Sequence, residues 1–295
     1  MKLYAPKYYK RFQCIADKCE HSCCIGWEID IDEDTLQAYQ AMKDGYGAVI
    51  AESVSMEETP HFKLCEGDRC PHLNERGLCK IILNLGEEHL CDICREHPRF
   101  YNFTGVAEVG IGLSCPEAAR IVLSSPDYAA FDCIGDVDAL ADDIIFDGRA
   151  ERGKLYAILQ DESLDYATRL AKIGEIYSIE AKADGRRLEL LDALEYLDKA
   201  HKPMFLRYSS ENRPTGKDAY LERFLAYAIY RHCTEALDEE DFGCRLSFCF
   251  FCERLLASLI CSQNAETLEE IVALASILSE EIEYSEDNTN TIMEG

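Results

Sequence analysis

The sequence predicts a mainly α-helical protein, in which a cysteine-rich α+β region with a short hairpin precedes a helical region. Apolar residues recur at helical spacing in the second half of the chain, whereas the first half mixes short alternating stretches with turn residues. Cysteines are concentrated early, since eleven of the sixteen lie at or before Cys133. We therefore expect a cysteine-rich domain over residues 1–130, an acidic connector over 131–150 and a helical domain over 151–295.

Short elements and turns are predicted in the cysteine-rich region. The alternation of apolar and polar residues over 27–31 predicts a short strand. Asp32 or Asp34 follows as a helix cap. The segment Asn74-Glu-Arg-Gly77 has turn composition.

A hairpin is predicted from two β-prone segments, residues 100–103 and 106–113, which are separated by turn residues. Ser114 or Cys115 then begins a helix, because Pro116 is favoured in a first helical turn.

Three apolar stripes at helical spacing predict helices in the second half of the chain. The stripes are Leu155, Ile158 and Leu159; Leu221, Phe224, Leu225, Ala228 and Ile229; and Leu268, Ile271, Val272, Ala275 and Leu278. We expect Asn264 to cap the third helix. The run Phe248-Cys-Phe-Phe-Cys252 is expected in the core, and the polar, acidic end over 280–295 is expected to fray.

Composition restricts the class of partner. The formal net charge is -26, with 56 acidic residues against 30 basic ones and no basic run, which argues against nucleic-acid binding. Such a charge suits a lysine-bearing protein partner, although solubility alone also accounts for it. The beginning of the chain lacks an export signal and no stretch of eighteen apolar residues occurs, so we expect a cytoplasmic protein that does not enter a membrane.

The early cysteines predict a metal or iron–sulfur site. In a reducing cytosol, clustered cysteines are more often metal ligands than disulfides. Two pairs have ligand spacing, Cys19-x3-Cys23 and Cys91-x2-Cys94. The same 130 residues also contain Cys14, Cys24, Cys70, Cys79 and Cys115. The irregular spacing is typical of iron–sulfur proteins more than of zinc sites, but zinc stays open.

Three histidines lie near these cysteines: His21, His72 and His97. Histidine is a common ligand for zinc, so each is a candidate. We favour the simpler interpretation, in which they support the site from beside it or lie on the surface.

The order of the cysteine motifs resembles the flagellin lysine-N-methylase family, whose cysteine-rich part belongs to a wider class described as zinc- or iron-chelating. The resemblance extends over residues 3–123. The motifs that carry it are Phe12-x-Cys14, Cys23-Cys24-x2-Trp27, Cys70-Pro-x-Leu73, Leu78-Cys79, Leu85-Gly86, Cys94-x3-Pro98-Arg99 and Leu113-Ser-Cys-Pro-Glu117.

The resemblance implies a protein-lysine N-methyltransferase that uses S-adenosylmethionine, acts on flagellin or another lysine-bearing protein, and holds an iron–sulfur cluster or, alternatively, zinc. Eight positions match the cysteines of the family: Cys14, Cys19, Cys23, Cys24, Cys70, Cys79, Cys94 and Cys115. Cys65 and Cys91 are additional in this chain.

The sequence does not identify catalytic or S-adenosylmethionine-binding residues. No G-x-G-x-x-G motif follows a strand, which argues against a Rossmann-type methyltransferase fold. The alternative is a metal-binding module, with zinc or an iron–sulfur cluster, that serves scaffolding or sensing without catalysis.

Overall fold

The computed structural model describes residues 1–19, 21–138, 146–179 and 184–294. It divides into two compact units. The large unit comprises Met1–Phe12 and Arg99–Gly295, and the small unit comprises Gln13–Pro98. The boundaries therefore differ from the predicted division at residues 130–150. Residues 131–136 of the predicted connector form a strand of the large unit, and residues 139–145 lie outside the described residues.

A four-stranded sheet begins the large unit, in the order β4-β5-β1-β6. Its strands are β1 (Lys2–Pro6), β4 (Arg99–Asn102), β5 (Ala107–Ile111) and β6 (Phe131–Asp136). β4 and β5 pair antiparallel, which confirms the predicted hairpin. β1 pairs parallel with β5 and antiparallel with β6. Because the first strand joins the hairpin, the beginning of the chain belongs to the large unit.

Helices make up the rest of the large unit. They are α5 (Pro116–Leu123), α6 (Gly148–Leu159), α7 (Tyr166–Tyr177), α8 (Asp184–Leu191), α9 (Lys202–Phe205), α10 (Asp218–His232), α11 (Glu239–Ser262), α12 (Leu268–Leu278) and α13 (Glu286–Glu294). α5 begins directly after Cys115, as predicted. The predicted mainly α-helical fold, with an α+β N-terminal part, is confirmed.

The core of the large unit contains the residues that the apolar stripes predicted. Phe224 and Leu225 of α10 and Ile271 of α12 are fully buried. Phe248 and Phe251 of α11 are buried beside them, which confirms that this run lies in the core. The cap of α12 was predicted wrongly. Thr267, not Asn264, caps this helix, because Thr267 and Glu270 form a reciprocal capping box.

The described residues of the polar end, 280–294, are almost entirely helical, which differs from the predicted fraying. A π-helical turn over Ser279–Glu283 leads into α13. Glu281 and Glu283 are buried, and each accepts hydrogen bonds from distant groups. These acidic residues can be buried because groups from distant parts of the chain donate hydrogen bonds to their carboxylates.

The small unit contains short elements. They are α1 (Glu33–Ala41), α2 (Gly45–Ser53), β2 (Val54–Ser55), β3 (His61–Phe62), α3 (Lys80–Leu85) and α4 (Asp92–Glu96). Asp32 caps α1 by accepting a hydrogen bond from Thr35 N at 2.9 Å, as predicted. Gly77 adopts a positive φ of 75° within the predicted turn.

The predicted strand over residues 27–31 is wrong. The segment is extended but forms only an isolated antiparallel bridge, Asp30 to His61. Phe62 N donates to Ile29 O, and Ile31 N donates to the carbonyl of Pro60. β3 is only two residues long and also pairs with β2, so no longer ladder forms. The alternation nevertheless identified the side chains that enter the core, since Ile29 and Ile31 are buried.

Among the described residues, no helix combines the length and the apolar character needed to cross a membrane.

Candidate metal centre

Five cysteine thiols of the small unit lie together around its core. They are Cys24, Cys70, Cys79, Cys91 and Cys94. Cys70 and Cys91 are buried, and the other three pack against the same apolar cluster. The thiols are near enough that negative charge on one raises the pKa of others, as Cys24 and Cys91 do for Cys79.

A backbone contact places Cys24 beside Cys70. Cys70 N donates to Cys24 O at 2.9 Å, and Gly26 N donates to Asp68 O at 2.9 Å. Gly26 has a φ of 88°, which favours glycine over other residues at this turn. Two backbone hydrogen bonds therefore hold the segments of Cys24 and Cys70 in a fixed register.

The predicted turn places Cys79 next to the same segment. The side chain of Asn74 accepts hydrogen bonds from Arg76 N and Leu78 N, both at 2.9 Å. Leu73 and Cys79 form an antiparallel bridge across this turn. Cys79 then lies at the N-terminal cap of α3. The motif from Cys70 to Cys79 is therefore one compact loop that carries a thiol at each end.

Cys91 and Cys94 lie on α4, Cys91 at its N-terminal cap and Cys94 one turn on. Their side chains are hydrogen-bonded to each other. Asp32 fixes the start of this helix, because its second carboxylate oxygen accepts a hydrogen bond from Asp92 N at 2.8 Å. One aspartate therefore caps α1 and α4 together and sets the position of both thiols.

The pKa values of the thiols differ within the cluster. A hydrogen bond with Cys23 lowers the pKa of Cys24 to about 7. Burial raises the pKa of Cys70 to about 12, and burial also raises the pKa of Cys79. The hydrogen bond between Cys91 and Cys94 lowers the pKa of Cys91 and raises that of Cys94. The simultaneous ionisation of several of these thiols is therefore unfavourable in the protein alone. A bound cation would stabilise the thiolates.

His72 is buried, and both of its ring nitrogens are already engaged. Tyr46 OH lies 2.8 Å from Nδ1, and Ser53 Oγ lies 2.8 Å from Nε2. Burial lowers the pKa of His72 to about 4. His72 therefore supports the loop between Cys70 and Cys79 and is not available as a ligand in this arrangement.

The other predicted ligands lie outside the five-thiol cluster or at its edge. Cys23 is hydrogen-bonded to Cys24. Cys14 accepts a hydrogen bond from Ala16 N, and Cys19 donates to His21 O at 2.6 Å. Cys115 belongs to the large unit, where it caps α5.

Cys91 was not among the eight cysteines predicted as ligands. Its C-x2-C spacing with Cys94 could have identified it. Cys65 is exposed and lies in a tight turn, where Cys65 N donates to Arg69 O at 2.7 Å.

The donor type fits a soft metal or an iron–sulfur cluster, since all five groups are thiols. Within the described part of the chain, no three Cys, His, Asp or Glu side chains are already arranged as a closed metal site. Binding would therefore require the thiols to turn toward a common centre. Cys24, Cys70, Cys79, Cys91 and Cys94 are the residues best placed to do so.

A cavity of about 370 Å³ is lined in part by Tyr39, Met42 and Leu90, which belong to the same apolar cluster as the thiols. Tyr39 forms part of its wall and donates from its hydroxyl to His89 O at 2.6 Å. Burial raises the pKa of Tyr39, and the nearby Cys91 adds to that effect. The phenol therefore stays neutral between the cavity and the thiols.

Three known proteins from Salmonella are similar to this chain. It is 29% identical over 161 residues to the flagellar biosynthetic protein FliU of Salmonella muenchen, a match that covers 52% of this chain and 94% of that protein. It is 31% identical over 133 residues to the lysine-N-methylase of Salmonella typhimurium and 30% identical over 133 residues to that of Salmonella choleraesuis. Each methylase match covers 42% of this chain and 33% of the methylase.

The chain therefore matches about a third of the length of the curated lysine-N-methylases. No family model matches it. No solved structure matches it. The resemblance to the lysine-N-methylases that the cysteine motifs predicted is confirmed by these relatives.

Proposed function

We propose that this protein is an S-adenosylmethionine-dependent protein-lysine N-methyltransferase that acts on flagellin and holds a cysteine-bound iron–sulfur cluster, or zinc, in its small unit. The observation that carries the activity is the similarity to two curated lysine-N-methylases. The similarity to a flagellar biosynthetic protein supports flagellin as the target.

The proposed reaction is an in-line displacement. The lone pair of a neutral lysine amine attacks the methyl carbon of the sulfonium, and the carbon–sulfur bond breaks as the carbon–nitrogen bond forms. The products are N-methyllysine, S-adenosylhomocysteine and a proton. The protein would contribute by aligning the amine, the methyl carbon and the sulfur. The net charge of -26 favours the approach of a lysine-bearing partner.

The metal part of the proposal is supported by the five-thiol cluster and by the size of the small unit. The unit covers residues 13–98, and its described residues form only short helices and two two-residue strands. Its buried apolar cluster is small and includes the thiols themselves. A metal or cluster on Cys24, Cys70, Cys79, Cys91 and Cys94 would supply that stability, because binding free energy is also folding free energy.

The test is methylation of purified flagellin. Protein prepared without oxygen should, with S-adenosylmethionine and unmethylated flagellin, add mass in steps of about 14 Da at lysine side chains, as the displacement requires. Intact-mass and peptide mass spectrometry would locate the methyl groups. The reaction without S-adenosylmethionine is the control. Unmodified flagellin after incubation with metal-loaded protein would contradict the enzyme assignment.

The second candidate is a metal-binding module without catalysis, and the five-thiol cluster favours it independently of any methylase. The same preparation distinguishes the two candidates. Metal-loaded protein that neither modifies flagellin nor binds S-adenosylmethionine in calorimetry would support the module.

A further inference from the structure

Three buried cysteines of the large unit lie where α10 packs against α11, whereas the thiols of the candidate metal centre belong to the small unit. They are Cys233 at the end of α10 and Cys249 and Cys252 within α11, and each is at most 1% exposed. Cysteine thiols in a core are usually inert packing groups, so a chemical role requires a specific contact between two of them.

Cys233 and Cys249 are in direct contact through their sulfur atoms. The two Sγ atoms lie 3.7 Å apart, in the range of a weak hydrogen bond between thiols. A disulfide requires a separation of about 2 Å between the same atoms. The remaining approach is short enough for rotation of the two side chains.

Neighbouring contacts hold the two cysteines opposite each other. The residues that precede them, His232 and Phe248, have ring centroids 5.0 Å apart in an edge-to-face contact. Arg245, one turn before Cys249 on α11, donates to His232 O at 3.0 Å. The contact between the sulfur atoms is therefore set by the packing of α10 against α11.

Burial determines how readily the two thiols react. It raises the pKa of Cys249 well above its usual value, so this thiol is protonated at neutral pH. Because the thiolate is the reactive form, oxidation of the closed core is slow. Cys233 lies at the C-terminal cap of α10, and helix ends open more readily than helix interiors. We therefore expect Cys233 to react first.

We propose that Cys233 and Cys249 form a reversible disulfide when the protein meets hydrogen peroxide, and that this bond links the end of α10 to α11. The thiolate of Cys233 attacks one peroxide oxygen, the O–O bond breaks, and a sulfenic acid and one water form once the proton of the thiol is included. The thiol of Cys249 then attacks that sulfur, the S–O bond breaks and a second water leaves. Two thiols are thus oxidised as one peroxide is reduced to two waters.

The bond would change the stability of the large unit reversibly. Cys233 and Cys249 are 16 positions apart, and closing a loop of this length restricts the unfolded chain. The oxidised protein should therefore unfold at a higher urea concentration than the reduced protein. Transient disulfides of this kind are typical of redox-sensitive proteins in reducing compartments. The bond does not depend on the proposed methylation.

Peptide mapping of the full-length protein after treatment with hydrogen peroxide tests the bond. Remaining thiols are alkylated, and the protein is digested with trypsin and with a protease that cuts after glutamate. This digestion separates Cys233, in residues 232–235, from the exposed Cys244, in residues 241–245. We expect residues 232–235 linked to residues 246–253, with a mass about 2 Da below the sum of the two reduced fragments, and release of both by dithiothreitol.

Two variants identify the partner on α11. Cys249→Ala removes the sulfur that contacts Cys233 and should reduce the linked fragments by about tenfold or more. Cys252→Ala is the matched control, because Cys252 is similarly buried one turn further along the same helix, and it should leave the link unchanged. Circular dichroism and urea unfolding of the reduced variants show whether both are folded.

Oxidised wild-type protein that contains modified Cys244 but no linked fragments would overturn the proposed disulfide, whatever the variants do. A link that persists in Cys249→Ala, or that disappears in a folded Cys252→Ala, would overturn the pairing of Cys233 with Cys249. Equal urea midpoints for oxidised and reduced wild-type protein would overturn the stabilising link between α10 and α11.

Discussion

Glu281 is a buried carboxylate that joins one short segment to the end of the chain. Its oxygens accept hydrogen bonds from Leu197 N at 2.7 Å and Asp198 N at 3.1 Å. His201 Nδ1 lies 2.6 Å from the same carboxylate. This hydrogen bond raises the pKa of His201 above its usual value, so the protonated imidazole is favoured in the folded protein.

The raised pKa of His201 predicts a pH-dependent contribution to stability. A group whose pKa is higher in the folded state stabilises the fold fully below its unfolded pKa of about 6.5, and the contribution is lost as the pH rises through the folded value. His201→Gln should therefore lower the free energy of unfolding more at pH about 5.5 than at pH about 9. Urea unfolding of both proteins at the two pH values measures this.

Lys199→Gln is the control for that measurement, because Lys199 is exposed on the same segment. It should leave the free energy of unfolding unchanged at both pH values. A loss for His201→Gln that is the same at low and high pH would show that the imidazole acts by packing and not by its charge.

The residues of the candidate metal centre were predictable only in part. The motifs pointed to Cys24, Cys70, Cys79 and Cys94, which the structure brings into one cluster. Cys91 joins them because Asp32 caps its helix, a contact between residues sixty positions apart. Sequence spacing alone cannot show such a contact.

At the scale of elements, the buried side chain of Asn288 links α13 to two other segments of the large unit. Asn288 is buried, and its amide nitrogen donates to Glu195 O and to Glu281 O, both at 2.7 Å. Its amide oxygen accepts from Glu195 N at 3.2 Å. These contacts attach the last helix to the segment before α9 and to the π-helical turn.

Replacement of Asn288 should therefore loosen the end of the chain. Asn288→Ala removes three hydrogen bonds and leaves one buried and two half-buried backbone groups without this partner, which should cost about 1–3 kcal/mol in the free energy of unfolding. Chemical unfolding measures the loss. Asn290→Ala is the matched control, since Asn290 is exposed on the same helix. Equal losses for the two variants would contradict an anchoring role for Asn288.

Elements with strong periodicity were predicted well, and elements held by distant polar contacts were not. The stripes of α10 and α12 are determined by local apolar spacing. The fold of residues 280–294 depends instead on His201, His232 and Glu195, which lie far away in sequence. The polar, acidic composition of residues 280–295 therefore led to the wrong prediction for this segment.

At the scale of the whole molecule, buried polar pairs fix the core of the large unit. Glu108 of β5 accepts two hydrogen bonds from Arg152 of α6, at 2.7 Å and 2.8 Å, and both side chains are buried. Arg152 also donates to Thr234 at 2.8 Å. These contacts connect the sheet to α6 and to the turn after α10, so the hairpin belongs to the helical core and not to the small unit. Composition could not indicate that boundary.

The small unit has a different basis for stability. Its buried core is small and is surrounded by thiols. A cysteine-bound metal would therefore determine whether residues 13–98 are folded, and loss of a ligand should affect this unit first.

The measurement that bears most directly on this site is metal and sulfide analysis of the full-length protein purified without oxygen, together with its optical spectrum. We expect iron and sulfide bound to the protein and a broad band near roughly 400 nm, as thiolate-bound clusters give. Cys94→Ser should lose the metal and expose the small unit to protease, whereas Cys261→Ser, in α11 of the large unit, should retain it. Stoichiometric zinc without iron would replace the cluster by a zinc site on the same cysteines. Folded, colourless protein without iron, sulfide or zinc would contradict the metal centre.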